Sequence, residues 1–215
     1  MITIRSKAAL LIAVISLLVG CSTPTQNPTT QPKQAEAAQS AAKVPTLYTA
    51  KQCFSSMLSL AQRWHPDALP FHMESEWNTE ASGQQGKATV WRAFFASASH
   101  GTMKTFSCSS SFLPSSPPNG FTDSPETPYA ANVPGLMFQP FVFLTDSDKA
   151  FAVTLEHGGA PLIQKDPHQA IVYLLDWDPR KKEPLWWVIY GKSGSERKGL
   201  CVINARTGAF ISAGK

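Results

Sequence analysis

Hydrophobic residues recur at helical spacing in two stretches of the chain, which lie about 95 positions apart. The first stretch, TAKQCFSSMLSLAQRWHP, predicts an amphipathic helix because its apolar side chains would share one face. Thr49 is a suitable cap for the start of this helix, and Pro66 ends it just past His65. The positions expected to be buried are Cys53, Met57, Leu60 and Trp64.

The second stretch, TDSDKAFAVTLEHGG, predicts a second helix with a similar apolar face. Asp146 or Ser147 can cap its start, because a short polar side chain accepts a hydrogen bond from a free N–H group there. Gly158 and Gly159 are expected to stop this helix. Its expected buried stripe consists of Ala150, Phe151, Thr154 and Leu155.

Three short segments rich in β-branched and aromatic residues follow each predicted helix, which is typical of strands. The first set is ALPFHMESEW, ATVWRAFFAS and GTMKTFSCS; the second is QAIVYLLDW, LWWVIYG and GLCVINA. Trp91 and Trp187 lie 96 positions apart, close to the offset between the helices. Because a repeated offset indicates duplication, we predict an α+β fold of two tandem helix-plus-antiparallel-sheet units, residues 47–110 and 141–215.

Residues 111–140 connect the two predicted units and are rich in Pro and Ser. The aromatic residues of this connection are expected to order part of it. A connection of this length is unusual in a compact fold. It is either a functional loop or a sign that the pattern misses an element.

The last predicted strand ends in CVINARTGAF, residues 201–210, where alternating apolar residues run into a polar turn. Alternation places Val202 and Asn204 on the same face of this strand. Gly208 can adopt a positive φ at little cost within the turn. The segment therefore predicts a closing hairpin in which residues 209–211 pair back.

The first 20 residues have a different pattern. A basic start, Met1–Lys7, precedes the apolar run AALLIAVISLLV, which is shorter than the roughly 20 residues of a spanning helix. This predicts a secretory signal peptide, residues 1–20. The next motif, LVGC at Leu18–Cys21, resembles the lipobox of bacterial lipoproteins. That resemblance implies cleavage before Cys21 and attachment of acyl chains such as palmitate, which together hold a protein firmly on a membrane.

Residues 21–46 begin with the lipidated Cys21 and are rich in Pro, Thr, Gln and Ala. Such a composition cannot bury enough surface to offset the entropy lost on ordering, which predicts a disordered tether. Ser22 stands where Gram-negative lipoproteins of the inner membrane have Asp, which resembles the outer-membrane pattern. We therefore expect a lipid-anchored protein of the bacterial envelope, on the outer membrane facing the periplasm in a Gram-negative cell.

Composition and charge exclude a dedicated nucleic-acid surface. The chain is 43% hydrophobic and 16% charged, as in ordinary globular proteins, and its formal net charge is +4. Without Arg5 and Lys7 of the signal peptide, 17 basic and 15 acidic residues leave +2. The compact basic run, residues 180–182, lies beside prolines and predicts a solvated loop.

Four cysteines occur, of which Cys21 is assigned to the lipid anchor. An exported protein meets oxidising conditions, so the others are expected to pair where they can. Cys53 lies in the first predicted helix and Cys108 in the last strand of the same unit. Because that helix covers that sheet, we predict a Cys53–Cys108 disulfide and a lone buried thiol at Cys201.

The sequence lacks the motifs of common catalytic and metal sites. It has no Gly-x-Ser-x-Gly elbow or phosphate loop, and its five histidines lack the spacing of a zinc site. We therefore predict no catalytic residue, metal or cofactor. An alternative is an envelope hydrolase with its site around Cys201 or His157, although a reactive cysteine needs a paired histidine or a depressed pKa.

Six tryptophans are a high number for this length. In LWWVIYG, Trp186 and Trp187 must point to opposite faces of a strand. Together with Trp91, they are candidates for binding a peptide or glycan. The alternative is packing between the two units, since a duplicated fold has an interface to fill. An exposed tryptophan patch would favour binding.

The second unit resembles a PepSY-type domain over about 70 residues, Thr145–Phe210. The helix SDKAFAVTLEHGG, the strand LWWVIYG and the segment VINARTGAF carry this resemblance. That family commonly closes with Val-x-Val-Asp-Ala-x-Thr-Gly. The matching positions are Val202, Asn204, Ala205, Thr207 and Gly208, with Asn in place of Asp. The first unit shares the PepSY-like or cystatin-like layout but has no Thr-Gly turn.

The PepSY resemblance implies an inhibitory or regulatory role and transfers no catalytic residues. We predict a lipid-anchored, non-enzymatic envelope protein that binds a protein or peptide, as an inhibitor or an accessory factor. A hydrolase and a structural spacer without a ligand are the alternatives.

Overall fold

The computed structural model describes residues 43–214. The predicted signal peptide, Cys21 and most of the predicted tether lie outside this range. Within it, no helix has the length and apolar character needed to cross a membrane.

The first helix, α1 (Ala50–Trp64), forms where the hydrophobic spacing predicts it. Thr49 is its N-cap and donates its N–H to Oε1 of Gln52 at 2.8 Å. The helix ends at the predicted place, because a residue before proline is disfavoured in helical geometry. Its buried side consists of Ala50, Cys53, Phe54, Met57 and Ala61.

The second predicted helix ends at its glycines, as predicted, and a further helix begins directly after them. Its parts are α2 (Ser147–Thr154), a π-helical turn (Leu155–Gly159) and α3 (Ala160–Lys165). Asp146 caps α2 through its side chain, as predicted. Gly158 has a positive φ of 100° and ends the first of these helices, and Pro161 suits the first turn of the new helix α3.

Nine strands lie within the described residues. They are β1 (Leu69–Ser75), β2 (Val90–Ser97), β3 (Thr102–Ser109), β4 (Gly120–Asp123), β5 (Thr127–Pro128), β6 (Ile171–Asp178), β7 (Glu183–Tyr190), β8 (Gly199–Asn204) and β9 (Phe210–Gly214). Six of them match the predicted strand segments, and β9 is the strand that pairs back after the last turn. The short strands β4 and β5 lie in the connection, where the sequence pattern predicts none.

The strands form one antiparallel sheet in the order β4-β3-β2-β1-β6-β7-β8-β9, with β5 also paired to β3. The two predicted units therefore share a sheet, which is joined where β1 pairs with β6. The register there places His72 opposite Asp176 and Glu74 opposite Leu174. This confirms the α+β prediction, whereas the division into tandem PepSY-like units stays a prediction.

The core lies on one face of the sheet, beneath α1 and α2. Trp91 in β2 and Trp186 in β7 are fully buried there, with ring centroids 6.4 Å apart. Each indole N–H donates to a carbonyl just before a helix, from Trp91 to Tyr48 and from Trp186 to Thr145, both at 2.8 Å. The counterpart of Trp91 is therefore Trp186, and the pairing with Trp187 by sequence offset is wrong by one residue.

The starts of α1 and α2 meet within this core. The N–H of Ala50 donates to Oγ of Ser147 at 2.9 Å, and the N–H of Lys51 donates to Oδ1 of Asp146 at 3.0 Å. The Ser147 hydroxyl donates in turn to the Gly86 carbonyl at 2.6 Å. These contacts satisfy N–H groups that a helix start leaves free, and they fix the two helices to each other.

The connection between the two halves is ordered by aromatic packing. Phe138 stacks on Trp177 with ring centroids 6.2 Å apart. Phe143 packs edge-on against Trp186, at 5.6 Å, on the helix side of the sheet. Phe141 between them is 72% exposed. This part of the chain thus closes part of the core and leaves three aromatic rings, Phe112, Phe121 and Phe141, exposed.

Candidate functional site

The side of β6, β7 and β8 opposite the helices is apolar, and we term it the uncovered face. Alternate residues of a strand point to opposite sides of the sheet. The residues that point away from the core are Val172, Leu174, Leu185, Trp187, Ile189, Leu200 and Val202. The helices of residues 43–214 pack on the core side, yet four of these seven residues are buried, and Leu174, Trp187 and Leu200 are half-buried.

Trp187 lies at the centre of the uncovered face. It pairs in register with Leu174 of β6 on one side and with Val202 of β8 on the other. The side chains of Trp187 and Leu174 are half-buried, whereas Val202 is buried. The face therefore presents an indole ring that is surrounded by aliphatic side chains.

A cavity of about 390 Å³ lies at one end of the uncovered face. Val172, Leu174 and Ile189 form its apolar part, and Trp77 and Lys192 stand beside them. The Lys192 Nζ lies 4.5 Å from the centroid of the Trp77 ring, a cation–π arrangement. An apolar floor with a charged rim suits an amphipathic protein segment.

A charged cluster borders the uncovered face where β1 meets β6. His72 Nδ1 lies 2.6 Å from Oδ1 of Asp176, and its Nε2 lies 3.4 Å from Oε2 of Glu74. Burial opposes the charged form of the ring, but hydrogen bonds to Asp176 and Glu74 outweigh it and raise the pKa of His72 to about 9. The ring is therefore positively charged at neutral pH and links the two halves of the sheet.

The structure brings Cys201 and His157 together, but not as a nucleophile and its base. The Cys201 thiol donates to the backbone carbonyl of His157 at 3.5 Å. The His157 ring instead stacks on Phe210, with 3.7 Å between centroids. Burial raises the pKa of the Cys201 thiol, which disfavours the reactive thiolate. The arrangement lacks the proton acceptor that a cysteine hydrolase requires.

Asp67, Ser97 and His100 also lie together, at the turn between β2 and β3. The Ser97 hydroxyl lies 2.7 Å from Oδ1 of Asp67 and 2.9 Å from Nδ1 of His100, so the serine stands in the middle of the group. Hydrogen bonds from the Ser99 N–H and from Ser97 hold the pKa of Asp67 well below its usual range. Because Ser97 is fully buried, this cluster fixes the turn and presents no nucleophile.

The predicted disulfide between Cys53 and Cys108 is present and links α1 to β3. Cys201 is a buried free thiol, as the sequence predicts. Within residues 43–214, no three His, Cys, Asp or Glu side chains are grouped in a way that could hold a metal ion.

Asn204 organises the turn between β8 and β9. Its side-chain carbonyl accepts the N–H groups of Arg206 and Thr207 at 2.9 and 3.0 Å, and its amide donates to Oε2 of Glu183 at 2.8 Å. The aspartate of the PepSY pattern would keep the first two bonds but would set a carboxylate against Glu183. Gly208 has a φ of 78°, as the predicted turn requires.

Of the three tryptophans that are candidates for binding a ligand, Trp187 alone reaches the surface. Trp91 and Trp186 are fully buried, which corrects their predicted role, because a buried indole cannot contact a ligand. Sequence reasoning also missed Leu174 and Leu200, which share the face of Trp187. The signal was present, since IVYLL and LWWVI are apolar without alternation, a pattern of strands covered on both faces.

Comparisons with known proteins give the fold alone. No family model matches the chain, and no curated protein matches it. Among solved structures, the chain is similar to a candidate lipoprotein from Clostridium difficile 630, with a TM-score of 0.50 and 10% sequence identity. The alignment covers 80% of this chain and 93% of that one. The chain thus shares the overall architecture of that protein, and the PepSY resemblance stays a prediction.

Proposed function

We propose that the chain is a lipid-anchored, non-enzymatic protein of the bacterial envelope that binds another protein through the uncovered face. The apolar composition of that face carries the proposal. Trp187, Leu174 and Leu200 lie on three strands that no helix of residues 43–214 covers from this side. Strands with apolar side chains on both faces are typically covered on both. A partner protein would supply the second layer.

The size of the uncovered face fits a contact patch. Three strands about 4.8 Å apart and roughly 20–25 Å long give an area of roughly 300–400 Å². Trp187, Leu174 and Leu200 expose part of that area and the other four residues are buried, so the face would form the centre of a larger contact. Because a stable interface buries roughly 800 Å² per partner, the contact would extend onto the charged border at His72 and Glu74. Charges at such a rim orient a partner and speed its association.

The contacts of the alternative site support a non-enzymatic role. A hydrolase at Cys201 needs a thiolate and a nearby base. The thiol is instead buried, its pKa is raised by burial, and its hydrogen bond goes to a backbone carbonyl. The spacer alternative accounts for the fold but gives no reason for the apolar residues of the uncovered face.

The two halves of the described chain support an origin by duplication of one PepSY-like unit. Thr49 and Asp146 each cap a helix that three antiparallel strands follow. The indole N–H groups of Trp91 and Trp186 each donate a hydrogen bond to the backbone carbonyl of the residue before that cap. We infer that residues 47–110 and 141–215 are copies whose sheets have merged.

The proposed membrane anchor rests on the LVGC motif, which lies outside the described residues. The description of the similar structure as a candidate lipoprotein agrees with such an anchor. An alkyne analogue of palmitate fed to cells should label the chain and should fail to label Cys21→Ala. Label retained on this variant would contradict the anchor.

The binding proposal is tested by photo-crosslinking in cells. A photoreactive amino acid at position 187 should form a covalent adduct with a partner. The same amino acid at position 141, where the native Phe is 72% exposed and lies outside the uncovered face, should form none. Trp187→Glu should abolish co-purification of that partner, and Phe141→Glu should leave it intact. Adducts at both positions, or at neither, would contradict the proposal.

A further inference from the structure

The π-helical turn, Leu155–Gly159, borders a cavity beside β7 and β8. His157 and Gly158 leave helical geometry, with φ values of −118° and 100°. In the other half of the sheet, α1 runs for 15 residues without such an interruption, so the fold does not require it.

Gly159 and Tyr190 hold this turn against β7. A Cβ at position 159 would lie 1.9 Å from the Tyr190 hydroxyl oxygen, so glycine is needed there. The Tyr190 hydroxyl lies 2.6 Å from Oγ1 of Thr154. Burial raises the pKa of Tyr190 to about 12. The wall that the turn forms is therefore fixed in place.

The space beside the turn is a cavity of about 360 Å³, within the range of roughly 300–1,000 Å³ that is typical of ligand pockets. Its apolar walls include Leu162, Tyr190 and Cys201. Lys198 at the rim lies 3.3 Å from a carboxylate oxygen of Asp166, which offsets its charge. The cavity therefore suits an uncharged, apolar group.

The cavity opens beside β9, the outermost strand on this side of the sheet. In residues 43–214, β9 pairs with β8 alone, so one side of its backbone keeps free N–H and C=O groups. Such an edge is a template for another extended chain. Ala213 and Gly214 line the cavity and are too small to block a side chain that comes from the edge.

We propose that β9 and this cavity form a second binding site, which takes an extended peptide segment of a partner protein. The peptide adds to the sheet beside β9, and one large apolar side chain passes over Ala213 into the cavity. Strand addition makes this possible because every second side chain of the peptide points to the cavity side. A second copy of this chain fits less well as the partner. The aromatic residue of its own β9 is Phe210, whose ring already stacks on His157 and is not free to enter the cavity of another copy.

This site is separate from the uncovered face, because the cavity lies on the helix side of the sheet. Ala213 pairs with Cys201 and shares its core-facing side, whereas Ser212 pairs with Val202 on the opposite side. The two positions therefore supply a matched pair of substitutions on one exposed strand. Ala213→Trp fills the mouth of the cavity, and Ser212→Trp places the same bulk on the other face.

A selection from a phage library of random dodecapeptides on the full chain tests the proposal. The selected peptides should share a large apolar residue, and fluorescence anisotropy should show their binding. Ala213→Trp should weaken that binding about tenfold or more, and Ser212→Trp should leave it unchanged. In an added strand, alternate N–H groups of the peptide face β9 and the others face away. N-methylation of the nitrogens that face β9 should abolish binding to the unmodified protein.

Three outcomes would overturn the proposal. They are failure to select any peptide, equal affinity of both variants for the selected peptides, and peptide binding that survives N-methylation on either set of alternate nitrogens. A dimer of the protein alone that Ala213→Trp dissociates in sedimentation would assign β9 to a second copy and would also overturn it. The N-methylation arm uses the unmodified chain, so its outcome does not depend on the folding of a variant.

Discussion

Replacing Asn204 by Asp tests the local reason for the departure from the PepSY pattern. Asn204 is 6% exposed, and its amide nitrogen lies 2.8 Å from a carboxylate oxygen of Glu183. Asn204→Asp keeps the oxygen that accepts the two N–H groups of the turn. It removes the amide donor, however, and places two carboxylates in contact.

The expected loss in free energy of unfolding is about 2–3 kcal/mol near pH 7. A hydrogen bond that involves a charged group is worth about 1.5–3 kcal/mol. Two like charges about 4 Å apart repel by roughly 4 kcal/mol at an effective dielectric of about 20. Glu183 is only half-buried and can rotate towards water, so we expect a fraction of that repulsion. In acid, one carboxyl binds a proton and can donate to the other, which should recover most of the loss.

Urea unfolding of the purified full chain, followed by tryptophan fluorescence near pH 7 and near pH 4.5, measures this effect. Glu183→Gln combined with Asn204→Asp should restore most of the stability, because the glutamine amide donates to the new carboxylate. Glu183→Gln alone should cost less than about 1 kcal/mol. An Asn204→Asp protein as stable as the unchanged chain near pH 7 would refute the reasoning, and so would a double variant no better than the single one.

The charged link at His72 should make stability depend on pH. Its folded pKa of about 9 lies above the ordinary value of 6.5, so its contribution is complete below pH 6.5 and is lost as the pH rises through 9. With the ring 22% exposed, about 1–2 kcal/mol should disappear across that window in urea unfolding, and His72→Gln should flatten the curve. Replacing Cys53 and Cys108 by Ala should lower the free energy of unfolding by about 3–4 kcal/mol, because the disulfide joins residues 55 positions apart, and reductant should then have no further effect. Gly159→Ala should cost about 2 kcal/mol, or roughly 4–8 °C in Tm, since its Cβ has no room, while Gly135→Ala, with nothing within 4 Å, should change little; equal Tm values would contradict this.

Local sequence patterns determined most of the elements. The helix α1, the six long strands and the closing hairpin lie where the apolar spacing predicts them, because helices and strands bury residues at different periods. The Cys53–Cys108 disulfide also follows from the sequence. A helix that covers the sheet of its own unit brings its buried side within reach of that sheet.

Contacts between distant residues decided that a further helix follows the second predicted one. Gly158 and Gly159 are a local stop signal, yet the chain restarts as α3 directly after them. Leu162 and Ile163 of α3 pack against the core. The free energy of burying these side chains stabilises α3 only once the sheet has formed. The π-helical turn and its cavity therefore could not be read from the helical pattern alone.

The adjacent tryptophans show what the sequence pattern determines and what only the tertiary structure decides. Alternation along a strand determined that Trp186 and Trp187 point to opposite faces of the sheet. It could not say which ring is buried, because that depends on the side on which the helices cross. Contacts between residues almost 100 positions apart, such as Ala50 with Ser147, fix the helices on the side of Trp186. Only the tertiary structure therefore left Trp187 at the surface.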